Sequence, residues 1–280
     1  MKIQGCVAVL TGAGSGIGRA LAMALAREGC HLALVDINVS NLQETAQQAR
    51  HGGVKVTEHP LDVADRSAIA ALPDRVVAGH GQVDLLINNA GVALGGRFDQ
   101  LSVENFDWLM AINFDAVVCM TRAFLPLLRQ RPAARIVNVS SLFGLIAPGG
   151  QTAYSASKFA VRGVSNALRV ELAGSPVGVT VVHPGGIATA IATSARGPDG
   201  ASEQERKTQL DRAAKLLRMP PTRAAEIILK GIVRDKPRVI VGNDALVLSW
   251  LERLMPVSYW RLLPKMPGSP PRMAAHNPAK

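Results

Sequence analysis

Short apolar runs recur along the chain at Val7 to Leu10, Leu32 to Ile37, Val54 to Thr57, Val83 to Ile87, Arg135 to Val139, Val179 to Val182 and Arg238 to Val241. Each has strand length, and longer stretches of helical periodicity separate them. Strands alternating with helices predict parallel βαβ units, so the expectation is an α/β, doubly wound parallel sheet of about seven strands, covered by helices on both faces. Local signals agree with this alternation. Ser40 followed by Gln43 reads as a capping box, and Thr222 reads as the N-cap of a helix running to Arg234.

Composition narrows the picture. The 280 residues, 48% of them hydrophobic, can bury the core of one large α/β domain, placed here at residues 1–263. The Pro-rich stretch 264–280 is expected to be poorly ordered. Met1 leads directly into the apolar run Cys6 to Leu10 without the features of a secretion signal, so a cytoplasmic location is expected. Cys6, Cys30 and Cys119 are far apart in apolar surroundings and are expected to be buried thiols in a reducing compartment. His31, His51, His59, His80, His183 and His276 show no metal-ligand spacing, so no metal is expected.

The net charge of +10 is uneven: from Arg196 onward, 16 Lys and Arg face 8 Asp and Glu, against 15 and 13 before it. The basic residues lack an aromatic stacking array or a zinc or helix-turn-helix signature, so a solvated face is expected and no nucleic-acid partner.

The first run is followed at once by Thr11-Gly12-Ala13-Gly14-Ser15-Gly16-Ile17-Gly18, which opens a helical pattern. Glycines let a backbone turn tightly against a pyrophosphate, and the helix N-terminus offers N–H groups and a favourable dipole. This context makes the sheet Rossmann-like and points to a dinucleotide. Asp36 ends the second run about 20 residues beyond the glycines, where a carboxylate can accept hydrogen bonds from ribose hydroxyls and repel a 2′-phosphate. With Ser15 and Ile37 where a cation would welcome that phosphate, NAD is the expected cofactor. Arg19 leaves NADP open.

Tyr154 and Lys158 lie one helical turn apart, so an ammonium can favour the phenolate of a tyrosine whose ordinary pKa is about 10. Ser141 stands at the end of the run Arg135 to Val139, on the carboxyl edge where open α/β sheets bind ligands. With these residues the sequence resembles the short-chain dehydrogenase/reductase family, in its compact branch, through TGAGSGIG, NNAG at Asn88 to Gly91, Ser141, YSASK and the PGGIAT run. The resemblance covers roughly residues 5 to 190.

What it implies is a proton relay. Tyr154 would be the general acid or base, Ser141 would fix the substrate oxygen, and Lys158 would tune Tyr154 and hold the nicotinamide ribose. Asn113 matches the family's fourth catalytic position and would place a water linking Lys158 to solvent, although a polar residue that distorts its helix remains the other reading. Asp62 and Val63 resemble the adenine contact, and Asn89, Ala90 and Gly91 the stretch that passes the cofactor. Pro184, Gly185, Ile187 and Thr189 resemble the segment that binds the carboxamide and fixes the ring face, implying B-face transfer. Gly12, Ser15, Gly16, Ile17, Gly18, Asp36, Tyr154 and Lys158 complete the implied cofactor set.

The family pattern leaves residues 190–220 as the substrate lid, with Ser194 to Ser202 reading as a mobile loop. Leu94, Leu142, Phe143, Ile146 and Ile191 flank the catalytic residues and could line a pocket for a hydrophobic secondary alcohol or ketone. An NADPH-preferring ketone reductase and a non-catalytic dinucleotide-binding regulator are the competing readings. Residues 244–263 form an apolar C-terminal helical extension expected to cover the pocket or another subunit, with a weak membrane-surface contact through the basic third as the alternative. The resemblance also implies a homodimer or homotetramer, with helices around Val103 to Leu128 and Ala156 to Leu172 in contact.

Overall fold

A computed structural model describes residues 1–198, 200, 203, 204, 208 and 216–262. The apolar runs become strands β1 (Val7–Thr11), β2 (His31–Asp36), β3 (Val56–Pro60), β4 (Leu85–Asn88), β5 (Ala134–Val139), β6 (Val177–Pro184) and β7 (Arg238–Val241). They form one parallel sheet in the order β3-β2-β1-β4-β5-β6-β7. The order reverses between β1 and β4, which opens a crevice at the carboxyl ends of these strands.

Both faces of the sheet are apolar, for the reason the unbroken runs suggest. Ala8, Leu10, Leu32, Leu34, Leu85 and Ile87 point to a core shared with α1 (Gly16–Arg27), α2 (Val39–Arg50) and α7 (Pro221–Val233). Val9, Ala33, Val35 and Leu86 alternate to the opposite core, built with α3 (Arg66–His80) and α5 (Ala116–Arg129). Two further helices, α4 (Val103–Met110) and α6 (Thr152–Glu171), shape the catalytic side, and α8 (Asn243–Leu254) is the C-terminal extension. The helical run Val103–Arg129 is long and apolar enough, by length and composition, to cross a membrane. Its Val117, Met120, Phe124 and Leu128 are instead packed into the sheet's core.

Several local expectations are corrected. Ile37 falls outside β2 and is 68% exposed, and β3 starts at Val56 rather than Val54 because its pairing with β2 runs from Val56 to Pro60. The cap of α2 is Asn38, whose side chain accepts from the Asn41 N–H at 3.0 Å. Ser40 lies inside the first turn and donates to Asn38 instead. Thr222 is likewise inside α7, which begins at Pro221 after Pro220; a first-turn proline has its φ preset and loses no helical bond. Only Cys30 is fully buried, while Cys6 and Cys119 are half-buried at the core's margins.

Candidate active site

β1 delivers the glycine loop to the crevice. Gly12 has φ +65°, and a Cβ there would stand 2.8 Å from the Ala90 Cα, so only glycine lets this loop meet the strand-four turn. Thr11 stitches the two together: its hydroxyl accepts from the N–H groups of Asn89 and Ala90, both at 3.0 Å. The Asn89 amide returns two bonds, to the carbonyls of Thr11 and Gly12. Asn88, by contrast, is buried and bonds Thr121 and Asn138. It fastens β4 to its neighbours.

The residues around this loop fit a dinucleotide. Ser15 precedes α1 without capping it through its side chain, so the first-turn N–H groups of Ile17 and Gly18 are left for an anionic group. Gly16 packs against Thr189, so the loop and the segment after Pro184 are neighbours, as a ligand spanning both requires. The Asp36 carboxylate accepts from the Gly14 N–H at 2.8 Å and from the Asn38 N–H at 2.9 Å, which fixes it at the strand end beside the loop. Arg19 is committed elsewhere. It binds the Gly14 carbonyl, the Thr45 hydroxyl and the Glu44 carboxylate, the last at 2.8 Å. Asp62 is exposed and accepts from the Ala64 N–H, while Val63 beside it is buried in the core. A cavity of about 630 Å³ opens along Gly16, Arg19, Met23, Thr189 and Leu217. It reaches neither Ser141 nor Tyr154 in its lining.

The catalytic candidates converge on the carboxyl edge of β5. Ser141 follows the strand, and its hydroxyl accepts from the Phe143 N–H at 3.1 Å and reaches the Tyr154 phenol. α6 then places Lys158 one turn beyond Tyr154, with Nζ 5.7 Å from the phenol ring and 3.2 Å from the Val139 carbonyl that accepts its bond. Burial pushes the Tyr154 phenol above its ordinary range, and the Ser141 hydrogen bond pulls against it. The ammonium effect expected from the spacing does not dominate. Lys158 is itself pushed down to about 8 by burial.

Asn113 sits in a π-turn, Ala111–Asp115, that joins α4 to α5. The helix is distorted there, as the reading of a helix-distorting polar residue expects, and Asn113 lies inside that turn. Asn113 is fully buried, accepts from the Val92 N–H at 2.8 Å, and donates to the Val92 carbonyl and the Ser157 hydroxyl. A Cβ added at Gly91 would lie 3.2 Å from the Asn113 oxygen and 3.3 Å from the Lys158 Nζ, which places the two polar groups around the same glycine.

Pro184 ends β6, and the turn after it is held by a residue not expected from sequence. Asp244, in the first turn of α8, accepts from the Gly186 N–H at 2.7 Å. A Cβ at Gly185 would run into this carboxylate. Ile187 is buried and bridges to Met219, and the Ala188 N–H donates to the Met219 carbonyl. The signal for Asp244 was an acidic residue at the start of an apolar helix, where it reads as an ordinary dipole partner.

His183 is a second residue that spacing did not single out. Its Nδ1 lies 3.0 Å from the Ser141 carbonyl, so it is the protonated nitrogen that donates there, and Nε2 is buried without a partner. Burial pushes its pKa down to about 4.

The expected pocket wall is partly core. Leu94 packs with Leu109 and Ala153, and Leu142 and Ile146 pack with Ala245 of α8. Phe143 does face the site, edge-on to the Tyr154 ring at 6.0 Å, and Ile191 is half-buried. At the start of the expected lid, Arg196 donates its N–H to the Ala93 carbonyl and its guanidinium to Asn105, and stacks 3.7 Å over Trp108. This part of the predicted mobile loop is tied down, while Ser202 and most of residues 205–215 lie outside the described residues, as does the tail 264–280.

With this geometry in view, comparison with known proteins is informative. The family profile described as short chain dehydrogenase matches residues 6–199. SadH of Mycobacterium tuberculosis, named as an oxidoreductase, is 45% identical over 264 residues, covering 94% of this chain and 95% of that protein. The 3-oxoacyl-[acyl-carrier-protein] reductase FabG of Thermotoga maritima is 33% identical over 243 residues, 87% of this chain and 96% of its own length. Among solved structures, a short chain dehydrogenase/reductase from Burkholderia phymatum in complex with NAD superposes with a TM-score of 0.85 at 31% identity, covering 96% of this chain and 99% of that one.

Proposed function

The chain belongs to the short-chain dehydrogenase/reductase family of oxidoreductases, and from that premise we propose that it interconverts a hydrophobic secondary alcohol and its ketone, with Tyr154 moving the proton and NAD as the preferred nicotinamide. The observation that carries this reading is the meeting of Ser141, Tyr154, Lys158 and Asn113 on one sheet edge beside the glycine loop. A bound nicotinamide supplies what no side chain can, accepting or giving the hydride at the substrate carbon.

The chain's own residues do the rest. The Ser141 hydroxyl, oriented by the Phe143 N–H, holds the substrate oxygen next to the Tyr154 phenol. In the alcohol-oxidising direction the substrate hydroxyl gives its proton to the ionised Tyr154; in the reducing direction the phenol returns it. A buried phenol resists ionisation, so the cation at Lys158 is needed to offset that cost when the base form is required. Asn113, fixed by Val92 and Ser157, keeps a polar route to Lys158 at the Gly91 corner.

NAD preference follows from charge. Asp36 is held at the loop by two backbone N–H groups, and a 2′-phosphate there would meet a fixed carboxylate. Arg19, the residue that could have welcomed it, is paired with Glu44. The NADPH-reductase reading therefore lacks a free cation at this corner among the described residues. Phe143 at the Tyr154 ring supports an apolar substrate, and the exposed apolar Val103 of α4 and Val170 of α6, at 69% and 75%, support assembly through those helices.

The test is the rate of reduced-nicotinamide formation with NAD and with NADP across aliphatic, alicyclic and steroid secondary alcohols, beside Tyr154→Phe. The variant should lose about 10²- to 10⁴-fold in turnover while binding NAD as the parent does. A variant that turns over at the parent rate would overturn the role of Tyr154.

A further inference from the structure

α8 is held on its inner side by three different contacts. Ala245, Leu248 and Tyr259 pack against Leu142, Phe143, Ile146 and Ile240. The Tyr259 hydroxyl accepts from the Ala147 N–H at 2.8 Å, and Asp244 grips the turn at Gly186. The segment is therefore seated on the protein, and its outer side can be read as a defined surface. That surface is apolar. Leu246, Trp250 and Leu254 recur at four-residue spacing on one helical face and are 46%, 57% and 75% exposed, with Val247 at 64% beside them. Val257, Trp260 and Leu262 extend the patch past the helix end at 82%, 55% and 60%. Scattered exposed apolar residues need no explanation, but a contiguous run of them on a fixed element does.

The charge around the patch narrows what can cover it. Burial, with Arg162 and Arg253 nearby, disfavours the charge of Arg238, and Glu252 is the carboxylate that relieves it. After Glu252 the chain carries Arg253, Arg261, Lys265, Arg272 and Lys280 and no Asp or Glu. A second copy docked face to face would set this positive charge against itself. A layer of anionic headgroups complements it, while the apolar side chains enter the acyl boundary and the tryptophans occupy the interface. The Trp260 indole N–H already donates to the Val257 carbonyl at 2.9 Å, so burying that ring strands no donor.

We propose that the outer face of α8 and the turn after it, centred on Trp250, Leu254 and Trp260, docks on an anionic lipid surface. At 12 residues the helix is too short for the roughly 30 Å of a bilayer core and lies in the plane of the interface. Because the same helix is seated on the loop after Ser141 and on the Gly185–Gly186 turn, docking brings the rim of the catalytic site to the lipid, where a lipophilic alcohol would be met. That consequence rests on the proposed substrate class; the docking does not.

Full-length protein is sedimented with vesicles of phosphatidylcholine alone and of equal parts phosphatidylcholine and phosphatidylglycerol, at low and high salt, with tryptophan emission recorded alongside. Binding to the anionic vesicles about tenfold stronger than to neutral ones, with a blue shift, is expected. Trp250→Ser/Leu254→Ser should weaken it about tenfold, and Arg253→Gln should reduce its salt dependence. Both changes are at exposed positions, and circular dichroism and melting check that each variant stays folded. Equal or absent partition to the two vesicles overturns the proposal. Anionic binding untouched by Trp250→Ser/Leu254→Ser also overturns it, leaving only diffuse basic adsorption. A change of mass in light scattering on that substitution, without vesicle binding by the parent, overturns it in favour of an interface between copies. None of these readouts requires catalysis, so a failed substrate panel and a failed docking are distinguishable.

Discussion

Burial works against the charged forms of both Tyr154 and Lys158: the phenol is pushed up and the ammonium down to about 8. With burial working against both charges, the polar groups around the pair matter individually. Ser141 is the one that pulls the phenol back toward its ionised form. On the cofactor side, the proposed NAD preference rests on Asp36. Replacing Asp36 with Ala removes the fixed carboxylate and should raise the relative efficiency with NADP by about tenfold or more, measured as the ratio of kcat/KM for the two cofactors. An unchanged ratio would remove Asp36 from the account. The same substitution also frees the Gly14 N–H, so some loss of efficiency with NAD is expected with it.

Elements position these residues through contacts between loops. The β1 and β4 turns are sewn together by Thr11 and Asn89, and the turn after β6 is held by α8 through Asp244. Asp244→Ala should loosen the Gly185–Gly186 turn. The carboxylate is exposed, so the bond is worth only about 1 kcal/mol, which corresponds to a rise of about fivefold in the KM for the nicotinamide cofactor. Asp244→Asn keeps an acceptor for the Gly186 N–H and should recover most of that loss; equal KM values for parent and Ala variant would show that the turn holds itself. The π-turn at Ala111–Asp115 acts in the same way, since a regular helix would rotate Asn113 away from Val92 and Ser157.

At the scale of the whole molecule, two buried imidazoles tie stability to pH. His183 and His59 are pushed down to about 4 by burial, while both titrate near 6.5 in an unfolded chain. Between these values the unfolded chain binds more protons than the folded one, so stability is complete above about pH 6.5 and falls as the pH drops toward 4. Urea midpoints measured across that window should decline, and His183→Asn, which keeps a donor for the Ser141 carbonyl but cannot titrate, should flatten part of the decline. A slope identical to the parent's would show that His183 does not contribute.

The sheet was legible because its inner strands are buried on both faces. Such runs are almost purely apolar, and that pattern survives in sequence without any knowledge of neighbours. The glycine loop and the Tyr154–Lys158 pair were legible for a related reason, since each depends on short-range spacing along a strand, turn or helix. Local chemistry failed where two signals competed, as when Asn38 capped α2 in place of Ser40 and Pro221 opened α7 ahead of Thr222. What spacing could not reveal are contacts between residues far apart in the chain. Asp244 on Gly186, His183 on the Ser141 carbonyl and Arg19 on Glu44 exist because packing brings separate elements to one edge. By itself the sequence determined the alternation of elements, where the sheet's hydrophobic strands lie along the chain and the candidate chemistry at its carboxyl edge. Only the tertiary structure decided which polar groups hold that edge in place and which apolar face of α8 stays outside, because burial is a property of the packed molecule and not of any one segment.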